Sequence, residues 1–431
     1  MTKAHPQRAR RTALQILEHV ERGAHADALL EDATGFSDPD ARLLREIVLG
    51  SITWRSRLDF HLDAYLKQPV SKQKSGVRNL LRLGAYQILF LDRVPAYAVV
   101  SESVELARRY GKGIPGLTNA VLRGLAENRK PVSFPDPASR PVRRLATEFS
   151  YPEWMIDRWL PRFGYDGTTA LCEAGNARPP ITIRVNPKRA TIDSLVGALD
   201  AEDVETAPIL ELPGFIRVIT PSGLFESQPF LQGWFSIQGT GAGRASGLLE
   251  VKPGQSVLDI CAAPGGKAMS AAERGARVFA SDISVSRLSP LRQNRARLGL
   301  DYRILASDAR SLPYSSSFDH VVVDAPCTGL GTLSRHPEIR WHREPGDITR
   351  MAKLQTEILA SAASYVSLAG TLIYSTCTIE PEENEQVVEN FLNNTPEFRI
   401  DEDSPTKSSV SILPDADGTD GAYGVRIRKV S

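Results

Sequence analysis

The chain has 431 residues, 42% hydrophobic and 24% charged, with a formal net charge of +1. This is the composition of a soluble globular protein of two or three domains, and no apolar run approaches the roughly 18–20 residues that cross a bilayer. Four scattered cysteines without CxxC spacing exclude a disulfide framework and a zinc site, and the basic start "MTKAHPQRARRTALQ" lacks an apolar signal core. Reduced thiols in a cytoplasmic protein are the expectation.

The small net charge conceals an uneven distribution. Residues 1–145 carry 24 Lys and Arg against 15 Asp and Glu, and the remainder carries 28 against 36. A basic N-terminal third fits either a polyanionic partner or ordinary solvated helix faces.

Residues 1–130 predict an all-helical bundle. Ala13, Leu14, Leu17 and Val20 recur at helical spacing, as do Leu44, Ile47, Val48 and Ile52. Ser37-Asp-Pro-Asp is a capping signal before "ARLLREIVLGSITW". Further helical runs are 76–91, 99–111 and 116–128. Arg8, Arg10, Arg11, Arg55, Arg57, Lys72, Lys74, Arg78 and Arg82 are candidates for a phosphate-facing surface.

Residues 131–145, "PVSFPDPASRPVRRL", hold four prolines and read as a linker. Residues 146–245 predict a small α+β module, with a helix at "YPEWMIDRWLPRFG" and strands at 180–186 and "GFIRVIT". From about 246 to 431 strands alternate with helices. The strands are expected at 256–261, 277–282, 302–308, 318–326 and 370–377, and the helices at about 266–274, 285–298 and 347–368. The pattern implies an α/β fold with a parallel, doubly wound sheet and ligands outside the strands' carboxyl ends.

"VLDICAAPGGKA" is a strand, a Gly-rich turn and a helix, but not the GxGxxG of pyrophosphate binding. Gly265 and Gly266 let the backbone approach a ligand closely. Asp259, Asp282 and Asp308 each fall at a strand end, Asp282 where an acidic residue accepts ribose hydroxyls and Asp308 where it bonds an adenine amino group. An adenosine ligand without phosphate, S-adenosylmethionine, fits this set. Cys327 and Cys377 follow the fourth and fifth strands, at the rim of the same pocket.

Two thiols there suit one chemical difficulty. Carbon 5 of a pyrimidine is too poor a nucleophile to take a methyl group from sulfur, whereas thiolate addition at carbon 6 makes it enamine-like. A base must then remove the carbon 5 proton. A free thiol has a pKa of about 8.5, so the nucleophile needs help to ionise, and Lys267 is the nearest candidate cation in the sequence. Asp324 is placed to hold a proton at ring nitrogen 3. The target base must be unstacked to reach such a slot. Residue logic leaves open which cysteine attacks. Cys172 reads as packing, and Cys261 as a contributor of backbone to the loop. "DAPCTG" lacks the Pro-Pro-aromatic pattern of amino-nitrogen methylation.

"CAAPGGK", "DAPCTGLGTLSRHPEIRW" and "YSTCTIEPEENEQVV" together resemble bacterial small-subunit ribosomal RNA (cytosine-5)-methyltransferases of the Sun/Fmu type. The N-terminal third resembles the RNA-binding helical fold of NusB. The resemblance covers nearly the whole chain. It implies a Rossmann-like methyltransferase core preceded by a NusB-like bundle and the α+β module, acting on naked or partly assembled ribosomal RNA; nothing in the sequence demands more than a monomer. It makes Cys377 the nucleophile and Cys327 the residue that assists proton removal and product release. It also assigns Cys261, Ala262, Ala263, Pro264, Gly265, Gly266, Lys267, Asp282, Asp308 and Asp324 to the cofactor, with Asp324 shared between cofactor and base. Transfer RNA as substrate and a non-catalytic RNA-binding assembly factor are the alternatives. Two departures from the family pattern are "QGTGA" at 238–242, where Gln-Asp-Glu-Ala-Ser is usual, and Lys267-Ala268 in place of Lys-Thr. The first removes an acidic residue, with weaker cofactor-side or interdomain contacts as the expected effect.

Overall fold

The structure, a computed structural model, describes residues 6–403, 407–415 and 417–431; the first five residues of the basic start lie outside them. The chain forms two compact units, one running to Asn176 and including Arg335–His342, the other Ala177–Ser334 with Arg343–Ser431.

The first unit is helical. Its helices span Pro6–Val20, Ala26–Glu31, Asp38–Thr53, Arg55–Asp63, Ser75–Phe90, Ala96–Ala107, Ile114–Ala126, Pro141–Glu148, Glu153–Asn176 and the short Ile339–His342. Ser37 caps the third of these, its hydroxyl accepting the Asp40 N–H, as the capping signal predicts. Leu14, Leu44, Ile47, Leu58, Leu80 and Leu122 fill one core.

The expected phosphate-facing surface is corrected at five positions. Arg10 and Arg82 are buried, the first paired with Glu102 at 2.8 Å and the second with Asp59 at 2.7 Å. Arg78 pairs with Glu21 at 2.6 Å. Arg57 lies over the rings of Trp54, Phe90 and Phe134, and Arg55 over Trp341. Burial holds Arg55 down to about 10. Arg8, Arg11, Lys72 and Lys74 remain exposed. Periodicity places a charge on a helix but does not report whether a carboxylate or a ring waits opposite.

The linker is also shorter than expected, because helix resumes at Pro141. The helices at 141–148 and 153–176 pack within the helical unit. Residues 335–342 supply the physical reason. Arg340 is fully buried and donates to Ser150 O, Gly175 O and Asn176 Oδ1. Trp341 donates to Ile52 O, and buried Glu338 accepts the Ala26 N–H.

The second unit carries two sheets. β1 (Ile181–Val185), β2 (Thr206–Pro208), β3 (Phe215–Val218) and β4 (Phe235–Ile237) form an antiparallel sheet in the order β2-β3-β1-β4. The larger sheet holds β5 (Ser256–Asp259), β6 (Arg277–Asp282), β7 (Tyr302–Ala306), β8 (Phe318–Asp324), β9 (Val366–Thr376), β10 (Phe398–Ile400), β11 (Ser409–Ile412) and β12 (Ala422–Lys429). Its order is β10-β12-β9-β8-β5-β6-β7, with β11 on β12.

β5 to β9 pair in parallel, whereas β10, β11 and β12 pair antiparallel, so the sheet is mixed rather than wholly parallel. The chain order reverses between β5 and β8, the crevice where open α/β sheets bind ligands. Helices Gly266–Glu273, Leu288–Leu298 and Pro345–Ala363 cover the faces. The last stops five residues earlier than expected, and 366–368 already belong to β9. Among the described residues no helix is long and apolar enough to cross a membrane.

Candidate active site

β8 and β9 run in parallel with Asp324 opposite Ser375. Cys327 lies three residues past the first and Cys377 two past the second, so neighbouring strand ends deliver both thiols to one place. Their sulfurs are 3.2 Å apart, with Cys377 exposed and Cys327 half-buried.

The Cys327 thiol is held well above its ordinary value, first by its hydrogen bond with Cys377, then by burial, the Cys377 charge and Glu383. The remaining thiols have other surroundings. Burial pushes Cys172 up to about 12 inside the helical unit. Cys261 is likewise pushed up by burial, and its N–H reaches Asp259.

The glycine turn lies at the carboxyl end of β5. Ala262 N–H bonds Ser281 O at 2.8 Å, and Ala263 N–H bonds the buried Asp282 carboxylate at 3.2 Å. The Ala263–Pro264 peptide is cis, and Gly265, at φ +117°, opens helix Gly266–Glu273. Asp282 also accepts the Ser284 N–H and stands 3.6 Å from Arg287, which donates to Ala263 O.

Asp259 is buried with one carboxylate oxygen unpartnered, and burial, then the Asp324 charge, pushes it up to about 7. A turn of open backbone flanked by carboxylates at two strand ends, one with an orphaned oxygen, suits a cationic ligand rich in hydroxyls. S-adenosylmethionine has that chemistry.

Two expected roles are corrected here. β7 ends at Ala306, so Asp308 lies two residues beyond it, in a two-pronged pair with Arg310. Lys267, proposed as the cation beside the nucleophile, is buried and pairs with Asp324 at 2.7 Å. Its charge is committed to that carboxylate, whose other oxygen accepts the Ser375 hydroxyl at 3.0 Å.

The "QGTGA" segment keeps its Gln. Gln238 accepts from Arg184 at 2.7 Å and donates to Ser246 at 3.0 Å, and Arg184 also donates to Gly266 O at 3.1 Å. Gly239 takes the N-cap position of helix Thr240–Ser246, which therefore has no side-chain cap. The small residues that follow are sterically required. A Cβ on Gly241 would stand 2.4 Å from Asp420 O, and one on Gly243 2.4 Å from the Phe215 ring. Ala268 is fully buried.

Residue reasoning missed the groups that hold the two thiol loops. Buried Glu383 accepts the Thr328 N–H at 2.8 Å, the Thr328 hydroxyl, and the Gln355 amide at 2.9 Å. Asn384 accepts the Thr376 hydroxyl at 2.5 Å and donates to Thr378 O at 3.1 Å, gripping the residues on either side of Cys377. The available signal was the Thr after each cysteine, followed by an acidic run that passes for solvated surface. Among the described residues no three His, Cys, Asp or Glu side chains gather as a metal ion would require.

Comparison with known proteins agrees with this geometry. Residues 246–428 match the 16S rRNA methyltransferase RsmB/F model, 7–127 the NusB family, and 151–223 the RsmF/B-like ferredoxin-like domain. The probable ribosomal RNA small subunit methyltransferase B of Bacillus subtilis is 33% identical over 441 residues, covering 97% of this chain and 98% of that protein. Ribosomal RNA small subunit methyltransferase B of Salmonella arizonae is 32% identical over 403 residues, 91% of each chain. The crystal structure of PH0851 superposes with a TM-score of 0.83 at 25% identity, covering 99% of both chains. The chain belongs to the RsmB/F family of 16S rRNA methyltransferases.

Proposed function

We propose that this protein methylates carbon 5 of a cytosine in small-subunit ribosomal RNA through a transient bond between Cys377 and carbon 6. The enzyme is S-adenosylmethionine-dependent and acts on 16S ribosomal RNA; the carbon attacked and the role of each cysteine are our reading. It rests on one observation above all, two sulfurs 3.2 Å apart on adjoining strand-end loops of a doubly wound sheet.

The cofactor supplies an electrophilic methyl carbon on a sulfonium. Residues 261–267 and Asp282 would hold it, with Asp308 toward the adenine and Asp324 toward the reacting end. Cys377, the more exposed sulfur, adds to carbon 6 as a thiolate, and the displaced electron pair spreads over carbon 5 and nitrogen 3. The Lys267–Asp324 pair faces the charge that develops on the ring. Carbon 5 then forms its new bond to the methyl carbon as the methyl–sulfonium bond breaks, its electron pair staying on sulfur to leave a neutral thioether.

With Cys377 tied into a carbon–sulfur bond, the neighbour that chiefly held up the Cys327 pKa is gone. Cys327 gives its proton to solvent and takes the one on carbon 5. The electrons of that C–H bond restore the 5,6 double bond, and Cys377 leaves as a thiolate. Exposed Arg11, Lys72 and Lys74 on the helical unit are available to RNA phosphates. A monomer working in the cytoplasm on naked or partly assembled RNA completes the reading.

Labelled cofactor and a 16S transcript test it. Wild type transfers the label to cytosine carbon 5. Cys377→Ala transfers none, and Cys327→Ala accumulates a denaturation-resistant RNA complex. An RNA complex from Cys377→Ala and not from Cys327→Ala reverses the roles, and label entering only transfer RNA overturns the substrate.

A further inference from the structure

Each active-site cysteine is followed by a threonine with no work in the chemistry above, and both threonines are buried. Their hydroxyls are 3.0 Å apart, and the Thr328 hydroxyl donates to Glu383. Gln355 ties the same carboxylate to Pro326 O, the residue before Cys327, with both contacts at 2.9 Å. Tyr374 donates to the Glu383 carbonyl at 2.6 Å. One buried carboxylate is thus the hub on which both thiol loops hang. Its partners are hydroxyls and amides rather than a cation; burial raises its own pKa, and its charge when ionised raises that of Cys327.

We propose that Glu383 is a positioning residue that decides which thiol attacks: its charge keeps the proton on Cys327, whose S–H then supports the thiolate of Cys377. This inference rests on the reading in which Cys377 adds to carbon 6. The thiols follow neighbouring strands and are 3.2 Å apart, so distance alone favours neither. What differs is their surroundings. Cys327 is the less exposed sulfur and directly precedes Thr328, whose N–H and hydroxyl Glu383 holds, whereas Cys377 is exposed.

The titratable and charged groups around them are Glu383 and Glu380 of the acidic loop, Tyr374 of β9, Arg343 donating to Thr328 O at 3.0 Å, and Asp324 of β8 with its Lys267. The Cys377 sulfur, burial and then Glu383 raise the Cys327 pKa, and the Cys377 N–H opposes them. Once Cys377 is bound to carbon 6, only Glu383 and burial still hold the Cys327 proton.

Iodoacetamide labelling of the full chain from pH 6 to 10, read per cysteine by mass spectrometry, tests this. In wild type Cys377 is alkylated at the lower pH and Cys327 only at clearly higher pH. In Glu383→Gln, shown folded by retained cofactor binding, the Cys327 profile moves down by about one pH unit. The pH dependence of RNA-adduct release moves with it, and Glu383→Asp restores the wild-type order. Cys327 reacting first in wild type overturns the proposal, as does an unmoved Cys327 profile in folded Glu383→Gln. If Glu383→Gln does not fold, the wild-type order and Glu383→Asp still decide. Cys327→Ala separates the two levels. Its RNA complex through Cys377 persists if only the role of Glu383 is wrong, and is missing if the nucleophile itself is wrong.

Discussion

Truncating Arg340 to alanine measures how far residues 335–342 contribute to the interior of the helical unit. The guanidinium is fully buried, donates to Asn176 Oδ1 at 2.7 Å, Gly175 O at 2.9 Å and Ser150 O at 3.2 Å, and lies 4.1 Å from the Tyr151 ring centre. Hydrogen bonds from a charged donor contribute about 1.5–3 kcal/mol each, and a desolvated cation over a ring about 2 kcal/mol. Against them stands the cost of burying a guanidinium, several kcal/mol. That cost holds the Arg340 pKa below the ordinary arginine value. Alanine leaves two buried acceptors and the half-buried Asn176 Oδ1 without this donor, for a net loss of about 4 kcal/mol. At roughly 2–4 °C per kcal/mol for a unit of this size, its transition falls by about 8–16 °C. Calorimetry with far-ultraviolet circular dichroism reads the shift. Arg340→Lys keeps the charge but not the fork and recovers less than half of the loss. A fall below about 2 °C in Arg340→Ala refutes the reasoning.

Two further perturbations address the second unit. A Cβ at Gly331 would stand 2.8 Å from Cys377 O and 2.7 Å from Gly421 O. Gly331→Ala therefore forces the thiol loops apart and lowers single-turnover methyl transfer by about 100-fold, with cofactor affinity, read by calorimetry, unchanged; full activity contradicts this. Asp259 titrates near 7 in the folded chain and near 3.9 unfolded. Its contribution to stability is complete below about pH 4 and lost as pH rises through about 7. Asp259→Asn is thus more stable than wild type at pH 8 without cofactor, by about 4 kcal/mol, and matches it near pH 4. Equal melting temperatures at pH 8 rule this out.

The core of the larger sheet was legible because buried parallel strands are written as unbroken apolar runs. "FDHVVVD" and "GTLIYST" fall within the strands observed, and "SVLDIC" overruns β5 by two residues. The thiols were found by the same route, since each closes such a run. β10 to β12 escaped notice because "FRI", "SVSI" and "AYGVRIRK" are short or interleaved with charge, and nothing local reveals the strand they join. Lys267 and Asp324 were singled out separately, but 57 positions divide them, and only the register of β5 against β8 makes them partners. Glu383 was hidden for the opposite reason. It stands in "EPEENE", where acidic composition suggests solvent, yet its side chain is fully buried. Composition describes the average of a stretch, and a hydrogen-bond hub is a single member of it.

Sequence position and spatial membership part company at residues 335–342, and this bears on any attempt to split the gene. A fragment ending at Asn176 would carry an open slot lined by Ile52 O, Gly175 O and the Tyr151 ring. A synthetic peptide spelling "RHPEIRWH" is then the natural complement to add back in trans. A swap of the N-terminal helices between relatives has to carry those eight residues along, or repair the slot by other means.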